Sequence, residues 1–259
     1  MKKIKTLALV VLTSCFVCSN SSAHPDFSIL IKKTKPYVVT IEASVKRAWS
    51  GKKRKAELDK VLGDYSDYYN DEFRKSSGVS KGTGFLIRPP SSVENWDEIY
   101  ILTAAHVIDG AKKIKVVFPD GRKATAKLVW ASNRDDVALL AVAKKGIEGA
   151  LSLRELPIEE GIHVLSISNA FGVSLSSSTG IVSALDVKLK RTQPFGYLQT
   201  DAALNRGSSG GPLFDSEGKV VGLVSVIYSN TGAFSGAAFA VPASRLTQLL
   251  NKKGFGDKN

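Results

Sequence analysis

Apolar residues are grouped in short runs rich in valine, isoleucine and alanine, with turn-forming residues between the runs. Runs of this kind are typical of β-strands, and the Asp120-Gly121 pair between two of them is a strong signal for a hairpin. Six runs precede a connector at residues 144–161 and six follow it, so the pattern predicts two antiparallel units, each a small barrel or sandwich. The runs are VVTIEA, GTGFLIR, IYILTAA, KIKVVF, TAKLVWA and DVALLAVA, then HVLSIS, TGIVSAL, YLQTDA, GPLF, KVVGLVSVIY and AAFAVP.

Two segments depart from the strand pattern. Residues 52–75 switch between basic and acidic character and predict a short helix followed by a polar, tyrosine-rich loop. Near the other end Pro242 ends the last run, and three leucines follow at helical spacing, namely Leu246, Leu249 and Leu250. We therefore expect a C-terminal helix that packs on the second unit, and a boundary between the units near residues 145–160.

The first 23 residues have the features of a secretory signal peptide: early lysines, the apolar run TLALVVLTSCFVC and the small residues SNSSA. The apolar run is short for a membrane span. Residues 12–15, LTSC, also resemble the lipobox of bacterial lipoproteins, which would place a lipid anchor on Cys15. Cleavage after Ala23 and lipidation both predict export, so we expect a periplasmic or secreted protein.

Cysteine usage limits the chemistry of the exported chain. Cys15 and Cys18 are the only cysteines, and a chain that begins after Ala23 contains neither. Disulfides and cysteine metal sites are then excluded, and no motif predicts a metal or another cofactor.

The formal net charge is +12, or +9 without the three lysines of residues 1–23. Much of the excess lies in residues 46–55 and in the tail NKKGFGDKN, and no aromatic ladder or recognition motif accompanies it. A solvent-exposed basic face is therefore favoured over a nucleic-acid site, and we expect no specific nucleic-acid partner. Nucleic-acid binding through the basic run would instead appear as steeply salt-dependent affinity.

One histidine and two acids are candidates for chemistry. Of the three histidines, His24 lies at the expected new terminus and His163 opens a strand, whereas His106 follows a strand in ILTAAHVID. A histidine at the end of a strand can be held in one orientation, as a general base requires. In NRDDVALLAV, strand alternation directs Asp135 and Asp136 to opposite faces, so we expect one to face His106 and the other to be solvated.

Residues 205–211, NRGSSGG, place two serines among three glycines after an apolar run. Acyl transfer requires a hydroxyl that a base can deprotonate and main-chain amides that face the oxygen becoming negative. If Gly207 leaves the turn free of a Cβ, the amides of Gly207 and Ser209 converge on one point. This geometry favours Ser209 as the nucleophile over Ser208.

The segments TAAH, DVALL and GSSGG follow in the order His, Asp, Ser, and this order resembles the chymotrypsin-like serine proteases. The string YLQTDAALNRGSSGGPLFDSEGKVVGLVSV resembles their HtrA/Deg branch, as do GTGFLI, DGRKATAKLV, STGIVSAL and FAVP, over about residues 35–250. The resemblance implies an all-β fold of two packed six-stranded antiparallel β-barrels with a short C-terminal helix. Residues 24–150 would form the N-terminal barrel, and residues 151–259 the C-terminal barrel with the helix.

The resemblance also implies a role for each candidate residue. His106 in the N-terminal barrel is the general base and acid, and Asp136 in the same barrel orients it. Ser209 in the C-terminal barrel is the nucleophile, and the amides of Gly207 and Ser209 form the oxyanion hole. These roles imply a serine endopeptidase that hydrolyses unfolded or extended polypeptides through an acyl-enzyme.

The pocket for the residue before the cleaved bond, the S1 pocket, is placed beneath Ser209 by the same resemblance. Its implied lining has no buried acid, so we expect a small or medium aliphatic residue to bind there. The implied lining residues are Leu204, Val226, Ile227, Tyr228 and Ala237.

Three features depart from the HtrA/Deg pattern. The chain ends soon after the expected terminal helix, so no PDZ domain is expected. SNAFG replaces the family's usual GNPFG at residues 168–172, and the insertion at residues 88–98 is longer than the pattern expects. Family members often form trimers through N-terminal segments, which makes residues 24–80 the candidate contact of a homotrimer.

A second hypothesis retains the protease fold without strong catalysis. The chain would then be a binding or chaperone-like module for unfolded envelope proteins, an interpretation motivated by the expected lack of a PDZ domain and by the charged residues 46–75. Turnover of an unfolded protein separates the two hypotheses.

Overall fold

The computed structural model describes most of the chain from residue 26 to residue 255. The described ranges are 26–45, 78–88, 97–144, 146–189, 195–227 and 234–255. The predicted signal peptide with Cys15, the charged residues 46–75 and most of the 88–98 insertion lie outside these ranges. No helix within them has both the length and the apolar character needed to cross a membrane.

The first six strands close into an antiparallel barrel in the order β1-β2-β3-β6-β5-β4. The barrel closes because β1 pairs with β2 along one edge and with β4 along the other. The strands are β1 (Val38–Val45), β2 (Val79–Ile87), β3 (Glu98–Thr103), β4 (Ala111–Val117), β5 (Lys123–Ser132) and β6 (Val137–Ala143).

The other six strands close into a second antiparallel barrel in the order β10-β11-β12-β9-β8-β7. Here β7 pairs with both β8 and β10, which completes the ring. These two closed barrels confirm the predicted fold and show that each unit is a barrel and not a sandwich. The strands are β7 (His163–Ser168), β8 (Ser176–Val187), β9 (Tyr197–Thr200), β10 (Pro212–Phe214), β11 (Val220–Ile227) and β12 (Ala238–Pro242).

Short helical segments connect and flank the strands. The helices within the described ranges are α1 (Ser28–Thr34), α2 (Ala105–Ile108) and α3 (Ala243–Lys252), with 3₁₀ turns at Lys35–Tyr37 and Ala170–Gly172. Helix α3 is the predicted C-terminal helix, and its existence is confirmed. It begins directly after Pro242 and buries the three predicted residues, Leu246, Leu249 and Leu250.

The hairpin predicted at Asp120-Gly121 joins β4 to β5. The Phe118 N–H donates to the Arg122 carbonyl at 2.9 Å, and the Arg122 N–H donates to the Asp120 carboxylate at 3.0 Å. The second of these main-chain hydrogen bonds is the main cause of the lowered pKa of Asp120. The Asp120 side chain therefore stabilises the turn through a hydrogen bond, in addition to favouring the turn conformation of the backbone.

The hydrophobic core continues from one barrel into the other. One cluster of buried side chains contains Leu102 and Leu139 of the first barrel together with Ile167 and Val226 of the second. A separate cluster, which includes Leu204, fills the rest of the second barrel. Because close-packed interiors resist deformation, this shared core fixes the barrels relative to each other and lets side chains from both meet between them.

Candidate active site

His106 lies in α2, a single helical turn that follows β3. Its neighbours Ala105 and Val107 are buried, which anchors the turn on both sides of the imidazole. The side chain of His106 is 12% exposed, so it is held in place but remains partly accessible. A base fixed in this way meets the requirement of one defined orientation.

Asp136 contacts His106 through three hydrogen bonds. The His106 ring nitrogen Nδ1 lies 2.9 Å from Oδ1 and 2.8 Å from Oδ2 of Asp136, and the His106 main-chain N–H donates to Oδ1 at 3.0 Å. An acceptor-only carboxylate at this position favours the tautomer with the proton on Nδ1, which leaves the lone pair on Nε2. The contact therefore holds both the position and the tautomer of the imidazole.

Ser225 also hydrogen-bonds the Asp136 carboxylate, and it is not among the residues predicted from the sequence. Its hydroxyl Oγ donates to Oδ2 of Asp136 at 2.5 Å, and both residues are buried. Ser225 comes from β11 of the second barrel, so the acid of the first barrel is bound from both barrels. The signal that points to it is a lone hydroxyl in the otherwise apolar run VVGLVSVI.

Asp135 is buried, with only 3% of it exposed, and the expectation that it is solvated is wrong. Its carboxylate binds the Arg245 guanidinium and the Ser132 hydroxyl. Strand alternation applies to extended backbone, but the two acids lie in the turn before β6, and Asp136 has a φ of 55°. The left-handed residue breaks the alternation, so that both carboxylates are directed inward.

The loop around Ser209 is held by its own main chain and by the second barrel. The Ser208 N–H donates to the Asn205 carbonyl and the Gly211 N–H to the Ser208 carbonyl, both at 2.9 Å. The Gly210 N–H donates to the carbonyl of Val224, the residue before Ser225, at 2.7 Å. The residue after Ser209 is therefore hydrogen-bonded to β11, the strand that also carries Ser225.

The same loop lies against the segment that leads into α2. The Thr83 N–H of β2 donates to the Ser209 carbonyl at 2.9 Å. Gly210 has a φ of 84°, and a Cβ there would collide with the Thr83 carbonyl, the Thr103 hydroxyl and the Ala104 amide. Ala104 directly precedes α2, so only glycine permits this close approach of the Ser209 loop to the His106 helix.

Thr83 and the SNAFG segment hold the other end of the loop. The Thr83 hydroxyl donates to the Gly207 carbonyl at 2.7 Å and accepts from the Asn169 N–H at 2.9 Å. The Phe171 N–H donates to the Arg206 carbonyl at 2.6 Å. In a trans peptide the N–H points away from the carbonyl, so the Gly207 N–H points away from Phe171.

Gly207 is constrained as closely as Gly210. Its φ is 96°, and a Cβ at this position would collide with the Asn169 carbonyl. Among the hydrogen bonds of the described residues, the amides of Gly207 and Ser209 donate to no acceptor. Two free donors separated by one residue in a fixed loop are suited to binding a negative oxygen.

The structure describes only some of the residues that were predicted to line the S1 pocket. Leu204 is fully buried in the core of the second barrel, and Ala237 is half-buried. Ile227 ends β11, whereas Tyr228 lies outside the described residues. His163 is exposed at the start of β7, in the other barrel from His106.

A comparison with protein families matches residues 82–223, more than half of the chain, to the trypsin-like peptidase domain. A probable periplasmic serine endoprotease DegP-like of Hahella chejuensis is 32% identical over an alignment of 259 positions, which covers 95% of this chain and 53% of that protein. A probable periplasmic serine protease do/HhoA-like of Haemophilus influenzae is 32% identical over an alignment of 266 positions, which covers 95% of this chain and 55% of that protein. The chain spans about half the length of these curated relatives.

Solved structures agree with the sequence comparison. The HtrA-type protease AlgW with tripeptide has a TM-score of 0.67 and 27% identity, over 89% of this chain and 65% of that chain. The serine endoprotease from Yersinia pestis, at 24% identity and a TM-score of 0.63, over 88% of this chain and 66% of that chain, shows the fold alone.

The family match and the two closed barrels show that the chain belongs to the trypsin-like peptidase family. Within that family of serine proteases it is HtrA/DegP-like, as the curated relatives and the AlgW structure show.

Proposed function

We propose that this chain is an exported serine endopeptidase that hydrolyses unfolded or extended polypeptides through an acyl-enzyme. The observation that carries the proposal is the contact between Nδ1 of the partly buried His106 and the buried Asp136 carboxylate, beside a glycine-rich loop that presents Ser209. Names of the curated relatives, which call them probable periplasmic serine proteases, support the same reaction and compartment.

In the proposed reaction His106 is the base and later the acid. Nε2 takes the proton of the Ser209 hydroxyl while Oγ attacks the carbonyl carbon of the peptide. The C–N bond then breaks as that proton passes to the departing amine. Water, deprotonated by the same nitrogen, attacks the acyl-enzyme and releases the acid, while the proton returns to Ser209. Asp136 remains ionised and stabilises the imidazolium.

The oxygen that becomes negative would bind to the amides of Gly207 and Ser209. Support comes from the bond between the Phe171 N–H and the Arg206 carbonyl, which keeps that carbonyl out of the position where the oxygen would bind. It also comes from Thr83, which fixes the Gly207 carbonyl from the other side. Donors held in place before the reaction need no reorganisation when charge develops, which is why such groups accelerate acyl transfer.

For the substrate we propose an extended polypeptide with a small or medium aliphatic residue before the cleaved bond. The buried aliphatic side chain of Leu204 and the half-buried Ala237 are compatible with an apolar S1 pocket. An apolar pocket separates neighbouring aliphatic residues by only about 1–3 kcal/mol, so the preference should be broad. Mass spectrometry of the fragments of an unfolded protein measures this preference directly.

Two features of the exported protein are further parts of the proposal. We favour a soluble chain that begins at His24 over a lipid anchor on Cys15, and the N-terminal residue of the exported protein distinguishes the two. A homotrimer through residues 24–80 stays a prediction, which sedimentation of the exported protein tests.

Covalent labelling by a fluorophosphonate tests the catalytic assignment. We expect the wild-type protein to be labelled on Ser209 and Ser209→Ala to remain unlabelled. Ser208→Ala is the matched control, because Ser208 lies next to Ser209 but its hydroxyl is bonded to Ser168 Oγ at 2.9 Å. Labelling of Ser208→Ala but not of Ser209→Ala identifies the nucleophile, whereas equal labelling of wild type and Ser209→Ala contradicts the proposal.

Casein turnover tests the reaction against the binding alternative. An endopeptidase should degrade casein, and Ser209→Ala should not. If the wild-type chain leaves casein intact while Ser209→Ala suppresses aggregation of an unfolded protein, the chain is instead a binding module with a protease fold.

A further inference from the structure

The conformation of Asp136 requires support from its surroundings. Its φ of 55° is in the left-handed region, which is unfavourable for residues that carry a Cβ. The Asp136 carboxylate contacts His106 and Ser225, but these bonds act on the end of the side chain. The backbone turn itself needs a second point of attachment.

Asp135 supplies that attachment. Arg245 donates from Nε at 2.9 Å and from Nη2 at 2.7 Å to Oδ1 of Asp135. The Ser132 hydroxyl at the end of β5 donates to Oδ2 at 2.5 Å. Both oxygens are therefore bound by donors from different elements, which fixes the carboxylate in one position next to Asp136.

Arg245 is itself fixed on the C-terminal helix. Its Nη1 donates to Gln248 Oε1, one helical turn further on, at 3.1 Å, and its guanidinium carbon lies 5.4 Å from the centre of the Phe195 ring. Helix α3 is packed on the core by its buried leucines. A helix at the end of the second barrel thus reaches the turn of the first barrel that carries Asp136.

We propose that Arg245 and Asp135 form a positioning pair that holds Asp136 in the orientation His106 requires. The inference deepens the proposed function and rests on the Asp136–His106 pair being the catalytic base. Asp135 and Asp136 are adjacent and buried. Without Arg245 the Asp135 carboxylate would be an unpaired buried charge, so it would move towards water. Because the two residues share one turn, that movement would rotate Asp136 away from His106.

The chain contains a matched control for this pair. Arg154 binds Asp215 at 2.6 Å with side-chain exposures of 22% and 4%, and Arg245 binds Asp135 at 2.7 Å with 23% and 4%. Each pair consists of a partly exposed arginine and a buried aspartate, but the Asp215 carboxylate otherwise binds the main-chain N–H groups of Glu217 and Lys219, which lie outside the proposed site. Loss of either arginine should therefore cost similar stability, and only the loss of Arg245 should change catalysis.

The test compares Arg245→Met with Arg154→Met in kinetics on fluorescently labelled casein, well below the Tm of both. For Arg245→Met we expect kcat to fall about tenfold or more with KM within about twofold of wild type, because the substrate contacts are intact while the base is misplaced. Arg154→Met should keep kcat within about twofold, as expected for a purely structural pair. Equal kcat in the two variants, at equal loss of Tm, would overturn the proposal.

Proton NMR of protein with ¹⁵N-labelled histidine supplies a readout that does not depend on turnover. The hydrogen-bonded Nδ1–H of His106 should give a downfield, slowly exchanging resonance in wild type and in Arg154→Met. Exposed His163 exchanges with water, so it does not obscure the signal. Loss of the resonance in Arg245→Met supports the positioning pair even if fluorophosphonate labelling refutes the proposed function, and its retention refutes the pair even if labelling succeeds.

Arg245→Lys keeps the test decisive if Arg245→Met does not fold. A lysine ammonium keeps the charge but cannot reproduce the paired Nε and Nη2 contacts on one oxygen. We expect kcat of Arg245→Lys to fall about two- to fivefold, between wild type and Arg245→Met. A value equal to that of wild type would show that the geometry of the pair does not position Asp136.

Discussion

The hydroxyl of Thr83 joins the first barrel to the loop that presents Ser209, and Thr83→Val removes it while keeping the shape of the side chain. The substitution breaks the bond to the Gly207 carbonyl at 2.7 Å and the bond from the Asn169 N–H at 2.9 Å. The main-chain bond from Thr83 to Ser209 remains. Only the end of the loop that carries the Gly207 amide is therefore released.

The expected cost follows from the two groups left without a partner. Asn169 is buried, so leaving its N–H without an acceptor costs about 1–3 kcal/mol of stability. The half-buried Gly207 carbonyl can turn partly towards water, so the loss of its hydrogen bond costs less. The free energy of unfolding should fall by about 2–4 kcal/mol in total. For a protein of this size that corresponds to a decrease in Tm of about 5–15 °C.

Thr200→Val is the matched control for this change. Thr200 is fully buried like Thr83, and its hydroxyl donates to the Ile181 carbonyl at 2.7 Å and accepts from the Ala202 N–H at 3.2 Å. Those bonds join parts of the second barrel outside residues 205–211. Both variants should therefore lose similar stability in urea unfolding, whereas only Thr83→Val should disturb the loop at residues 205–211.

The rate of fluorophosphonate labelling decides the outcome. We expect Thr83→Val to be labelled about tenfold more slowly than Thr200→Val at a temperature where both are folded, since each 1.4 kcal/mol lost from the transition state is a factor of about ten. Equal loss of stability with equal labelling rates in the two variants would show that the Thr83 hydroxyl does not organise the Gly207 amide.

Two further substitutions test the contacts around the site. Ser225→Ala removes a hydrogen bond to the buried Asp136 carboxylate, so kcat/KM on casein should fall about 10- to 100-fold, because bonds to charged groups contribute about 1.5–3 kcal/mol. Circular dichroism should show an unchanged fold, and kcat/KM within about twofold of wild type would contradict the role of Ser225. Ser208→Ala leaves the Asn205 N–H and the Ser168 hydroxyl without their acceptor. Urea unfolding should therefore show a decrease of about 1–3 kcal/mol in the free energy of unfolding. An unchanged free energy of unfolding would mean that these two groups find other partners.

The strands were predictable because their signals are local. Runs of β-branched residues bounded by glycine, proline or aspartate identify a strand without knowledge of its neighbours, and the Asp120-Gly121 hairpin lies within a few residues of sequence. The C-terminal helix was predictable for the same reason, since Leu246, Leu249 and Leu250 bury one face of a single helix. Closure into barrels depends on pairing between distant strands, so it followed from the resemblance and not from the runs themselves.

The error at Asp135 shows where a local rule ends. Alternation predicts opposite faces for Asp135 and Asp136, but it holds only while the backbone is extended. Asp136 has a left-handed φ, its carboxylate contacts His106 and the carboxylate of Asp135 contacts Arg245, and neither contact can be read from residues 133–143 alone. The sequence therefore identified the acid that contacts His106 but not the surroundings that hold it.

Three of the contacts missed by sequence reasoning share a physical property: each joins the first barrel to the second barrel or its terminal helix over a long stretch of chain. Thr83 and Gly207 are 124 positions apart, Asp136 and Ser225 are 89 apart, and Asp135 and Arg245 are 110 apart. A serine, threonine or arginine has many local alternatives as a hydrogen-bonding partner, so residue type alone does not select the distant one. Since these bonds exist only when both barrels are closed and packed on the shared core, the arrangement of His106, Asp136 and the Ser209 loop is a property of the assembled pair of barrels and of neither barrel alone.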